Sequence, residues 1–69
     1  MTIGQRIKNR RLALGLTQEE LAKLVGCKHR ASICEIERKK KGMTVSRLMR
    51  FAEALECSPA YLMGLTSEN

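Results

Sequence analysis

Few residues in this chain could do covalent chemistry. Its 69 residues include a single histidine, and all seven acids are glutamate. No Gly-rich phosphate loop accompanies them, so nothing pairs a nucleophile with a base, and no catalytic role is expected. Cys27, His29 and Cys34 are the nearest approach to a metal site. Zinc takes four ligands, commonly as close cysteine pairs, and this trio lacks a fourth partner. No metal, cofactor or small-molecule ligand is therefore expected, and the three cysteines read as small hydrophobes.

Cationic nitrogen, by contrast, is abundant. Thirteen Lys and Arg face seven acids, for a net charge of +6. A basic domain of this size suits a polyanion, and nucleic acid is the commonest. The charge gathers in the run Arg38, Lys39, Lys40, Lys41, which with Arg10 supplies candidate phosphate contacts. If Ile33, Ile36 and Glu37 of the preceding segment face the protein, Ala31, Cys34, Glu35 and Arg38 form the opposite stripe. Their spacing is i, i+3, i+4, i+7, with Arg30 at the N-terminal end. These side chains suit base edges. Arg30 can fork onto guanine O6 and N7, at about 1–3 kcal/mol of discrimination. Ala31 can meet a thymine methyl, and Glu35 can accept from cytosine N4 or orient Arg30 or Arg38.

Helices must position that stripe. A chain this short buries only about 60% of its unfolded surface, so its core must be dense in aliphatic side chains. Aromatics make up 3% of the residues, which favours packed helices over strands. Thr2 with Gln5 and Thr17 with Glu20 are capping boxes that open the first two helices. Ile3, Ile7 and Leu14 follow the first box. Leu21, Ala22, Leu24 and Val25 follow the second, with Gly15 and Gly26 as the stops. A third helix starts between Lys28 and Arg30 and spans about 29–40, ending toward Gly42. Thr44 caps a fourth, in which Val45, Leu48, Phe51, Ala52 and Leu55 repeat at helical steps. Ser58-Pro59 opens a short fifth through Tyr61, Leu62 and Met63, stopped at Gly64. One domain over 1–65 with a disordered tail over 66–69 is expected. No apolar run approaches the ~20 residues that span a bilayer. An odd cysteine count and no signal peptide suggest a reducing cytosol.

Four stretches then carry a resemblance: Gly15-Leu-Thr-Gln-Glu-Glu-Leu-Ala22, Ser32-Ile-Cys-Glu-Ile-Glu-Arg38, Leu48-Met-Arg-Phe-Ala-Glu-Ala-Leu55 and Ser58-Pro-Ala-Tyr-Leu62. In this order they resemble the phage repressor and Cro type of helix-turn-helix regulator, the XRE family. The resemblance implies an all-α, lambda-repressor-like bundle of five helices, whose second and third form the DNA-binding unit. It implies base contacts at Arg30, Ala31, Cys34 and Glu35, and backbone contacts at Gln18 and Ser32. It also implies an ion pair between Arg11 and Glu37. The family dimerises through its last two helices, which here places an interface around Cys57, Pro59, Ala60 and Met63.

Two departures stand out. Gly26 to Ile33 is one residue longer than the family's usual spacing, which leaves open the residue that starts the recognition helix. Lys28 and His29 in that turn are counted with the backbone contacts. Lys39 also stands where a glycine commonly follows the third helix. The expected function is a sequence-specific regulator binding duplex DNA as a homodimer, of the kind found in phages, prophages, restriction–modification systems or antitoxins. The alternative is a protein-interaction adapter or antitoxin-like partner on the same fold.

Overall fold

Two threonines start the first two helices by the same device. The Thr2 hydroxyl accepts from Gln5 N, and the Gln5 side chain returns a bond to Thr2 N. Thr17 and Glu20 repeat the exchange. Each box satisfies amide groups that the first helical turn leaves without partners. In the computed structural model, which describes residues 1–38 and 43–66, the helices are α1 (Ile3–Ala13), α2 (Gln18–Val25), α3 (Arg30–Arg38), α4 (Val45–Ala54) and α5 (Pro59–Met63). Thr44 and Ser58 cap α4 and α5 through their hydroxyls. Lys39, Lys40, Lys41 and Gly42 lie outside the described residues, and so does any run of the third helix past Arg38. Of the tail expected over 66–69, Thr66 is half-buried and the rest lies outside the described residues.

The core is aliphatic and drawn from every helix. Ile7, Leu21, Ile33, Phe51, Leu55 and Leu62 are fully buried, joined by Ala22, Val25, Ile36, Leu48 and Ala52. Two close approaches let these short helices meet. Ala22 is buried on α2, which packs against α3. Gly4 of α1 lies directly on the C-terminal turns of α3, where an added Cβ would fall 2.5 Å from Ile36 O and 2.8 Å from Glu37 O. Gly26, which ends α2, has φ +78°. That left-handed conformation costs glycine least, and it turns the chain toward α3.

Periodicity overreached at two positions. Leu24 is 56% exposed and Val45 71%. Leu24 lies on the solvent side of α2. Val45 begins α4, where Met43 from the preceding segment packs on the core instead. Met63, also read with its helix's apolar face, is half-exposed.

Gly4→Ala should be costly, because backbone oxygen atoms cannot move aside. The expected loss is about 2 kcal/mol, roughly 10 °C in Tm for a domain of this size, measured by thermal unfolding. A second expectation concerns Glu20, whose carboxyl is held below its ordinary 4.5 by the bonds from Thr17, with Lys23 assisting. A depressed folded value stabilises above 4.5, and that contribution is lost as pH falls through the lower folded value. Unfolding midpoints of Glu20→Gln should therefore depend less on pH in that acid range than those of the parent.

Candidate nucleic-acid interface

The geometry is set by which way α3 is rotated. Ile33 and Ile36 plug into the core, and Glu37, at 7% exposure, is buried beside them. Glu37 is a carboxylate among donors: Arg11 Nε approaches Oε2 at 2.7 Å and Arg11 Nη2 approaches Oε1 at 3.3 Å. Gln18 Nε2 donates to the same Oε1 at 3.2 Å. The remaining Arg11 nitrogen donates to Leu16 O at 2.8 Å. A buried charge persists only when its partners are this complete. The network joins α1, the α1–α2 turn, α2 and α3 through side chains whose reach is short.

With Glu37 turned inward, Arg30, Ala31, Glu35 and Arg38 are exposed, and Cys34 is half-buried between them. The structure thus brings the expected reading residues onto one face. Gln18, half-buried at the start of α2, joins them along an open depression of about 690 Å³ lined by Gln18, Arg30, Ala31, Cys34, Glu35 and Arg38. The longer turn resolves to α3 starting at Arg30, one residue later than the start at 29 expected from sequence. Lys28 and His29 are exposed in the turn, and His29 O accepts from Ser32 N at 3.1 Å. Beside them a smaller depression of about 450 Å³ is walled by Lys23, Lys28, His29 and Arg30. Lys23 was missed in the sequence because nothing in an isolated helix shows that it comes beside the turn. Ser32 is half-buried.

Arg10 is a correction. It was expected at phosphate, but its Nε donates to Leu55 O at 2.9 Å and its Nη2 to Glu56 O at 3.1 Å. Its guanidinium is spent on the end of α4, where Glu56 holds a left-handed φ of 55°. The local sequence of α1 gives no sign of this, since the partners are 45 and 46 residues away.

The residues expected at a dimer contact cluster where α4 meets α5. Pro59 and Met63 are exposed, and Cys57 and Ala60 are half-buried. Burial raises the Cys57 thiol above its ordinary 9.0, with Arg10 acting in the opposite direction. Leu65, 73% exposed, continues this apolar surface past α5 and was not singled out in the sequence. Among the described residues, no group of three or more His, Cys, Asp or Glu could hold a metal ion. No helix among them is long and apolar enough to cross a membrane.

The family model described as "Helix-turn-helix" matches residues 7–62. The chain is 36% identical over 63 residues to the HTH-type transcriptional regulator DicA of Escherichia coli (strain K12), covering 91% of this chain. It spans 46% of that relative's length. Among solved structures it is similar to the P22 c2 repressor in complex with a synthetic operator, with a TM-score of 0.82 and 33% identity over 96% of this chain and 98% of that one. It is also similar to the restriction-modification controller protein C.AhdI of Aeromonas hydrophila, with a TM-score of 0.78 and 34% identity, covering 88% and 91% of the two chains.

Removing one partner of the buried pair should cost far more than removing both. Arg11→Met leaves Glu37 charged and buried, and an expected 3–5 kcal/mol is lost, about that of other broken buried pairs. Arg11→Met combined with Glu37→Leu should recover much of it, measured by urea unfolding of the single and double variants.

Proposed function

We propose, since the chain belongs to the helix-turn-helix family of transcriptional regulators, that it binds duplex DNA by laying α3 in the major groove and regulates transcription from the sites it finds. One observation carries this reading: α3 buries Ile33, Ile36 and Glu37 while presenting Arg30, Ala31, Glu35 and Arg38 to solvent. A helix so divided has its reading face free and its orientation fixed. The similarity to a repressor in complex with operator DNA supports the same conclusion.

The roles divide by chemistry. Arg30, with planar paired donors, is the candidate for guanine, and Ala31, Cys34 and Glu35 meet neighbouring base edges. Gln18, Lys28, His29, Ser32, Arg38 and the run Lys39, Lys40, Lys41 are assigned to the backbone, which orients the domain without reading sequence. We assign Lys23 to the backbone as well and withdraw Arg10. A single domain of this kind covers few base pairs. We therefore infer a homodimer on two half-sites about 34 Å apart, joined through Cys57, Pro59, Ala60 and Met63, acting in the cytosol.

Selection from a random duplex pool, followed by titration against salt, tests the proposal. The selected sequence should be bound about 10³-fold or more above competitors, with affinity falling steeply as salt rises. Arg30→Ala should relax preference at one position per half-site. Lys28→Ala should weaken all duplexes about equally and flatten the salt slope. Weak, sequence-blind association would overturn the assignment and leave an adapter role. A symmetric selected site with half-sites one helical turn apart would support the dimer, and a single unpaired half-site would exclude it.

A further inference from the structure

The depression at the centre of the α3 face has the chemistry of a seat for a methyl group. Of the residues that line it, Gln18 and Cys34 are half-buried and the rest are exposed, so the amide and the thiol lie deepest. The Gln18 amide already donates inward to Glu37 Oε1. What remains to meet an incoming base is the Cys34 thiol and, one turn before it, the Ala31 methyl. A thiol is a weak donor and a weak acceptor, and a methyl is neither. A base nitrogen or oxygen pressed onto this pair would lose its water and gain no partner. The rim is different: Arg30, Glu35 and Arg38 surround the pair with charge that suits polar base edges and phosphate.

Major-groove chemistry narrows the occupant. Guanine, adenine and unmodified cytosine present nitrogen and oxygen donors or acceptors there, and the apolar group of the groove is the 5-methyl of thymine. Methylated cytosine carries the same group at the same place. We propose that Ala31 and Cys34 form a seat for the 5-methyl group of a pyrimidine, which makes Cys34 a specificity-determining residue. The proposal rests on α3 being the major-groove element.

Base analogues test it directly. In the operator recovered by selection, each thymine is replaced in turn by deoxyuridine, which pairs alike but lacks the methyl. Each cytosine is separately replaced by 5-methylcytosine. Binding is read by fluorescence anisotropy under reducing conditions. At one position per half-site, loss of the thymine methyl should weaken binding about fourfold, the effect of returning a buried methyl to water. Alternatively, methylation of a cytosine there should strengthen it by about the same factor. The first result assigns thymine, the second modified cytosine, and either supports the seat. Cys34→Ser keeps the size of the side chain but adds a hydroxyl that needs a partner. It should erase that methyl ratio while leaving the preference read by Arg30. A strong sequence preference with no methyl effect at any position sinks the seat alone, as does a ratio unchanged by Cys34→Ser. A chain that prefers no duplex sinks the interface itself. Should the serine variant fail to fold by circular dichroism, the analogue series on the parent protein decides the matter.

Discussion

Glu37 is a carboxylate on the exposed helix of the interface that points away from it, and the rest of the arrangement follows from where it goes. It is held by two nitrogens of Arg11 and by the Gln18 amide, so one side chain ties α3 to both preceding helices. A helix rotates as a rigid unit of about 3.6 residues per turn. Fixing Glu37 inward, with Ile33 and Ile36 one turn either side, therefore turns Arg30, Ala31, Cys34, Glu35 and Arg38 outward together. A hydrophobic plug alone would leave more freedom in that rotation, because apolar contacts carry no direction. Hydrogen bonds to a buried charge have direction, and leaving them unmade is expensive.

The same economy governs the other arginines of α1. Arg6 places its guanidinium 5.7 Å from the centre of the Tyr61 ring, against α5. Arg10 closes the end of α4 through two carbonyls, and Arg11 serves Glu37. Three cations of one helix are thus directed at three other parts of the fold. The charge of +6 consequently overstates what faces a polyanion, and the cations that do so are concentrated in the α2–α3 turn and on α3. In a domain with so few aromatic side chains, long arginines span gaps between short helices that bulky rings would otherwise fill.

The interface is also chemically graded. Charge stands at its rim and in the turn that leads into α3, while the centre of the reading face is a thiol and a methyl beside an amide already in use. Backbone binding and base discrimination are therefore carried by different atoms. Affinity can be altered at the edge with little effect on the choice of sequence at the centre. The surface where α4 meets α5 is different again, apolar and uncharged at Pro59, Met63 and Leu65.

Much of this was written in the chain itself. The helix starts follow from Thr2, Thr17, Thr44 and Ser58, and the stop at Gly26 from its left-handed conformation, because capping and turn chemistry act over three or four residues. The reading stripe was legible for the same reason, since a single helical period relates its members. What sequence left undecided was everything set by partners far along the chain. That Arg10 serves α4 rather than phosphate, and that Leu24 and Val45 face water despite their spacing, depended on which neighbours arrived beside them. So did the meeting of Lys23 with the α2–α3 turn and of Gln18 with Cys34. Local patterns say which faces a helix has, and only tertiary packing chooses the neighbour that each face meets.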